Sequence, residues 1–158
     1  MIVVSDTSPL HYLILIEQVH LLPELFGQVV TTPDVIDEMN QQASPEKLKR
    51  WVKHLPSWLE VREPQNQLPA VARLDRGEAS AISLASEIGA LLLIDERDGV
   101  KVAQAAGLEV TGTLGVILSA AREGRVALRD CLAALARTNY RYSKKLFDEL
   151  IRTFESGS

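Results

Sequence analysis

The feature that most constrains this chain is a set of short, wholly apolar runs separated by amphipathic stretches of helical length. Ile2-Val3-Val4, Val29-Val30 and Leu91-Leu92-Leu93-Ile94 lack the polar alternation of a half-solvated strand, so they read as strands buried on both faces. Leu59-Glu60-Val61 and Glu109-Val110-Thr111 add two further short candidates. Between them stand Ser8-Pro9, Thr32-Pro33 and Ser44-Pro45. Each pairs a hydroxyl that can cap free amides with a proline preset for the first helical position. These signals open helices over 10–16, through Asp37-Glu38-Met39, and over 46–54. A leucine-rich turn with Pro23 is expected before the second strand. Helices are also expected over 76–88, 99–106 and 113–123, with two more from about 126, broken near Asn139. Strands alternating with helices predict an α/β chain, a three-layer α/β/α sandwich on a central, mostly parallel sheet.

The chain has 158 residues, of which 46% are hydrophobic and 24% charged, enough for one compact domain over 1–158. The proline- and polar-rich stretch 56–69 is too short to separate two domains. A net charge of −4 removes bulk attraction to nucleic acid as an argument, so such binding would need a local basic surface or bridging cations. Arg73, Arg76, Arg97 and Lys101 supply cations near the acidic segments, and Arg137, Arg141, Lys144 and Lys145 form a later cluster. Cys131 stands alone on an apolar helix face, which excludes an internal disulfide and suits a buried small hydrophobe. No signal-peptide pattern opens the chain, and no apolar run approaches the roughly 20 residues of a membrane span. A cytoplasmic protein without membrane association is expected.

In parallel sheets, ligands bind beyond the carboxyl ends of the strands. Here those ends are acidic. Asp6 follows the first strand directly and Asp95 follows the most apolar one. Glu38 lies in the helix after the second strand, and Glu78 opens the helix over 76–88. Taken singly, Asp6 suits a helix cap, Glu38 and Glu78 suit solvated helix positions, and Asp95, Glu96 and Asp98 suit a charged turn. Taken together, they share one edge, where mutual repulsion is relieved by a divalent cation. An all-oxygen donor set with few histidines points to Mg2+ or Mn2+ rather than zinc. Such a cation can activate water and stabilise charge on a phosphodiester. His11, His20 and His54 share no ligand spacing, and Trp51 and Trp58 flank Pro56 as closers of a core edge or an interface.

Four segments in order resemble the motifs of PIN domains. Val3-Val4-Ser5-Asp6-Thr7-Ser8-Pro9-Leu10 looks like the opening motif, and Thr32-Pro33-Asp34-Val35-Ile36-Asp37-Glu38 is similar to the second, with its acid on Glu38. Leu74-Asp75-Arg76-Gly77-Glu78-Ala79-Ser80-Ala81-Ile82 resembles the third, with its acid on Glu78, and Leu92-Leu93-Ile94-Asp95-Glu96-Arg97-Asp98-Gly99 occupies the fourth. Thr111-Gly112-Thr113-Leu114-Gly115-Val116 looks like the closing segment of a compact prokaryotic subfamily. The fourth segment has Ile94 where the family usually has threonine or asparagine, and Gly99 where an aromatic is usual. Asp95, Glu96 and Asp98 therefore all stand as candidates for the fourth acid, with Asp95 following the strand most directly. The resemblance implies an Mg2+- or Mn2+-dependent endoribonuclease acting on RNA through Asp6, Glu38, Glu78 and Asp95, with Asp98 as a further metal ligand. It also implies the toxin of a type II toxin–antitoxin pair, an antitoxin partner and a homodimer. The apolar excess over 10–25 points to the same dimer. Two other readings remain: a PIN-like RNA- or protein-binding module without activity, and phosphoryl transfer through Asp6, against which Ser8 stands where a second aspartate is usual. Crowded carboxylates also imply that neutralising Asp6 or Asp95 raises the melting temperature in EDTA.

Overall fold

A computed structural model describes residues 1–157. Five short strands form one sheet: β1 (Ile2–Ser5), β2 (Gln28–Thr31), β3 (Leu59–Val61), β4 (Leu91–Leu93) and β5 (Val110–Thr111). Their order is β3-β2-β1-β4-β5, and every pairing is parallel. The apolar runs explain the order. Val3, Val4, Val29, Val30, Leu92 and Leu93 are all fully buried, so β1, β2 and β4 must lie inside the sheet with helices over both faces. The mixed sequences of β3 and β5 fall at the two edges, where a strand tolerates polar residues.

The helices are α1 (Thr7–Leu15), α2 (Leu21–Phe26), α3 (Pro33–Met39), α4 (Glu46–Lys53), α5 (Arg76–Ile88), α6 (Arg97–Ala105), α7 (Thr113–Arg122), α8 (Leu128–Ala136) and α9 (Lys144–Gly157). With the sheet they make an α/β sandwich. Thr32 caps α3 as its sequence implies, accepting from the Val35 amide at 3.3 Å, with Pro33 next in line. The other two hydroxyl–proline pairs behave differently. Helix α1 begins at Thr7, with Asp6 rather than Ser8 at the capping position, which leaves Pro9 within the first turn, where no amide is needed. Pro45, not Ser44, precedes α4, and the Ser44 hydroxyl instead donates to the Glu38 carbonyl. The leucine-rich turn expected around Pro23 is helix α2, because Pro23 again falls in a first turn while Leu21 and Leu22 drive into the core. Helix α5 ends on Gly89, whose φ of +67° supplies the left-handed cap that other residues resist.

Buried residues from β1 to Phe147 of α9 join in one hydrophobic cluster. Of the apolar stretch over 10–25, Leu10, Leu13, Ile14, Leu21 and Leu22 are buried in the core, while Leu15, Val19 and Leu25 are only partly buried. Cys131 is buried in α8. Trp51 and Trp58, with ring centroids 6.2 Å apart, are half-buried beside edge strand β3 and close the core there. Among the described residues no helix is long and apolar enough to cross a membrane.

The strand order decides where a ligand can enter. The chain moves outward from β1 through β2 to β3, then returns to place β4 on the other side of β1. The connections leaving β1 and β4 therefore diverge, opening a crevice at their carboxyl ends. Asp6 and Asp95 both lie at that switch point.

Candidate active site

The strand ladder runs on to the first acid: the Asp6 amide donates to the Leu93 carbonyl at 2.9 Å. Thr31 Oγ1 donates to the Ser5 carbonyl at 2.8 Å, tying the ends of β1 and β2 together. The Asp6 backbone is thus fixed, and its side chain is only 2% exposed.

Three other acids reach the same edge, each steadied by a helix start. Glu38 projects from α3. Its Oε2 accepts from Thr7 Oγ1 at 2.6 Å and its Oε1 from the Gly77 amide at 2.9 Å, so one carboxylate ties the beginning of α1 to that of α5. Asp95 accepts from the Thr113 amide at 2.8 Å and from Thr113 Oγ1 at 2.6 Å, which caps α7 from outside its own segment. Glu78 sits in the first turn of α5 and is 8% exposed. Helix N-termini carry partial positive charge, which is why this edge accommodates several carboxylates.

Two oxygens have no such partner. Asp6 Oδ1 and Glu78 Oε2 are buried without a hydrogen-bond donor. Burial, above all, pushes Asp6 up to about 7, with the nearby charges of Glu38, Asp75 and Asp95 adding to it and the Thr7 amide opposing it. Glu78 is pushed up to about 8, first by burial and then by Asp75, Asp6 and Glu96. Glu38 is raised by burial and by Asp75, against the bonds from Thr7 and Gly77. Asp95 is raised by burial, against both bonds from Thr113. The edge as a whole binds protons more tightly than isolated carboxylates do.

Glycines line the acids closely. A Cβ on Gly77 would lie 2.5 Å from Glu38 Oε1, and one on Gly99 would lie 2.7 Å from Glu78 Oε2. A Cβ on Gly112 would collide with Asp95 Oδ1. These positions need glycine for close approach of backbone to carboxylate, and Gly99 thereby accounts for one of the two departures in the fourth motif.

The structure thus brings Asp6, Glu38, Glu78 and Asp95 to one edge. Asp98 is exposed in the first turn of α6, and Glu96, not Asp98, is among the charges acting most strongly on Glu78. Asp75 was missing from the sequence-derived set. It caps α5 by accepting from the Glu78 amide at 2.9 Å and raises both Glu38 and Glu78. Its signal was available: Asp75-Arg76-Gly77-Glu78 has the spacing of a capping box. Thr113 was also overlooked, because its contact with Asp95 crosses 18 residues of chain. Asparagine at 95 would still accept from the Thr113 amide, so the cap itself is tested by Asp95→Ala, which removes both acceptors and is expected to lower the melting temperature.

The donor set suits a hard divalent cation. The candidate ligands are all oxygens, and the two orphaned ones are buried where a positive charge would satisfy them. The raised proton affinity expresses the same unmet demand. Among the described residues, no three His, Cys, Asp or Glu side chains already converge as a metal cage.

Comparison with known proteins agrees with this architecture. The chain matches the family model DUF3368, described as a PIN domain, over residues 2–156. Its fold is similar to that of a PilT N-terminus domain protein from the hyperthermophilic archaeon Sulfolobus solfataricus P2. The TM-score is 0.53 at 16% identity, over 90% of this chain and 100% of the other. No curated protein matches the chain. PIN domains are generally nucleases and generally use divalent metals. With its family model spanning nearly the whole chain, this protein belongs to the PIN-domain family.

Proposed function

We propose that the protein is an endoribonuclease dependent on Mg2+ or Mn2+, with Asp6, Glu38, Glu78 and Asp95 as the residues that hold the cation. The observation that carries this reading is the pair of donor-less buried oxygens, Asp6 Oδ1 and Glu78 Oε2, at the switch point of a parallel sheet. When bound, the cation would supply Lewis-acid activation of water and neutralise charge gathering on the phosphodiester. The chain's own residues do the positioning. Thr7 Oγ1 and the Gly77 amide orient Glu38, and Thr113 orients Asp95 with two bonds. Asp6 and Glu78 are then left to supply negative charge where it is not already neutralised. One of these carboxylates would accept the proton lost by the attacking water.

The family resemblance extends the proposal to the toxin of a type II toxin–antitoxin pair, a cytoplasmic homodimer with an antitoxin partner. An inactive binding module is favoured only by Asp95, whose two oxygens are both committed to Thr113. Phosphoryl transfer through Asp6 is disfavoured by the burial of that side chain.

The direct test is incubation of single-stranded RNA with the full chain in manganese, in magnesium and in EDTA. Internal cleavage in either metal and none in EDTA is expected. RNA that binds in EDTA yet stays intact in both metals would replace the nuclease reading with the binding module. Gly77→Ala offers a sharper check. The added Cβ would displace Glu38 from the Gly77 amide while the rest of α5 keeps its packing. Cleavage is expected to fall by about a hundredfold, the scale associated with an ångström of misplacement. An unchanged rate would remove Glu38 from the machinery.

A further inference from the structure

The connection between α8 and α9, where the sequence breaks near Asn139 among cations, is tied down by its own hydrogen bonds and aromatic contacts. Thr138 Oγ1 donates to the Leu135 carbonyl at 2.6 Å and accepts from the Tyr140 amide at 3.1 Å. Ser143 starts α9 by accepting from the Leu146 amide at 3.2 Å, while Tyr142 stacks on Phe147 with ring centroids 4.4 Å apart. Between these anchors, Tyr140 meets Tyr12 of α1 edge to face, with ring centroids 5.0 Å apart and planes at 88°. The Tyr12 hydroxyl donates to Asn139 Oδ1 at 3.1 Å. Tyr12 and Tyr140 are both half-buried and keep part of their surface in solvent, although the Tyr12 ring also meets His11, with centroids 4.7 Å apart and planes at 39°.

The patch adjoins the candidate site through α1, which carries Tyr12 and whose first residue, Thr7, donates to Glu38. The ionisation of Tyr12 feels burial first, then Asp95, Glu96 and Arg141. Tyr140 is pushed up to about 12 by burial, Asp95 and Tyr12. The two hydroxyls therefore stand within electrostatic reach of the acid that closes β4. Arg141 is exposed and, among the described residues, forms no ion pair with a carboxylate, unlike Arg76, which is held by Asp34 at 2.8 Å. A chain of net charge −4 needs such an uncommitted cation wherever it receives a polyanion.

We propose that Tyr12 and Tyr140, steadied by Asn139, form a nucleobase-stacking subsite, and that Arg141 holds the phosphate of the same single-stranded RNA as it enters the acidic edge. Base–aromatic stacking tolerates any base, so the subsite would orient the strand rather than read its sequence. Arg141 supplies positive charge where the carboxylates repel phosphate, leaving the reacting phosphodiester to the cation pocket. This assignment rests on the nuclease reading for its strand direction, but its test does not require cleavage.

The test uses the full chain, EDTA throughout and a single-stranded oligoribonucleotide carrying 2-aminopurine, a base whose fluorescence is quenched on stacking. Wild type is expected to bind at low salt with quenching. Tyr140→Leu should lose the quenching and weaken binding by about tenfold or more, whereas Tyr140→Phe, which keeps the ring, should behave as wild type. Arg141→Ala, at an exposed site that does not endanger folding, should make the salt slope of binding shallower by about 0.7. Melting curves identify any Tyr140→Leu preparation that has not folded, and Arg141→Ala decides the case there. Unchanged quenching and salt slope in the variants would overturn the subsite, as would absence of wild-type binding at low salt. The failure of the nuclease reading looks different: RNA that is quenched on the patch in EDTA and remains whole in manganese.

Discussion

Asp6→Asn is expected to abolish manganese-dependent RNA cleavage and, in EDTA near pH 8, to raise the melting temperature. The two halves follow from one geometry. Asp6 is 2% exposed, its Oδ1 has no donor, and three other carboxylates act on it. Above its folded pKa the group is a buried, repelled charge, and removing that charge relieves the cost. Asparagine keeps the size and one oxygen, but its amide then needs an acceptor, which offsets part of the gain. A net gain of about 1–2 kcal/mol corresponds to roughly 2–8 °C for a chain of this size. Wild type should respond to manganese by RT ln(1 + [L]/Kd), about 2.7 kcal/mol at a hundredfold excess over Kd. The variant should lose most of that response. Asp95→Ala is the contrasting case, because the carboxylate it removes caps α7 through Thr113. Loss of such a cap costs about 1 kcal/mol, so this variant should melt lower in EDTA. A set of melting curves in which Asp6→Asn falls below wild type and still responds fully to manganese would make Asp6 a structural cap.

The second large effect is the pH dependence of the cation-free protein. Asp6, at about 7, and Glu78, at about 8, lie well above their ordinary 3.8 and 4.5. Across that interval the folded state holds protons that the unfolded chain has released. Stability therefore falls with rising pH there. The contribution is complete below about pH 4 and is lost as pH rises through 7 and then 8. For Asp6 alone, a displacement of about three pH units corresponds to on the order of 4 kcal/mol. In EDTA, wild type is thus expected to melt roughly 10 °C lower at pH 8 than at pH 5. Asp6→Asn should flatten the curve, and manganese should reverse its slope, since a cation binds the ionised pocket of the folded state. A wild-type melting temperature that climbs from pH 5 to pH 8 in EDTA would contradict the crowded, donor-poor pocket on which the site assignment stands.

Local chemistry alone determined much of this protein. Wholly apolar runs at Ile2-Val3-Val4, Val29-Val30 and Leu91-Leu92-Leu93 read as interior parallel strands, because they carry no polar residue for a solvated face. Thr32-Pro33 could be read as a helix start because a side-chain cap acts within one turn. Asp6 and Asp95 were legible as neighbours because parallel strands must end on the same edge. The similar pairs Ser8-Pro9 and Ser44-Pro45 misled, since a hydroxyl before proline permits a cap without requiring it, and packing placed the cap of α1 two residues earlier and that of α4 one residue later. The turn at Pro23 became α2 because burying Leu21 and Leu22 outweighs a weak local preference. Tertiary structure alone decided which carboxylates are satisfied. Glu38 is held across 39 residues by the Gly77 amide and Asp95 across 18 by Thr113, while Asp6 Oδ1 and Glu78 Oε2 are left without donors. The meeting of Tyr12 with Asn139 spans 127 residues and has no local trace at all. Propensity, capping and hydrophobic periodicity act over a few residues and are written in order along the chain. Hydrogen-bond satisfaction and charge crowding depend on which helix starts arrive at the same point, and only the assembled sheet brings them there.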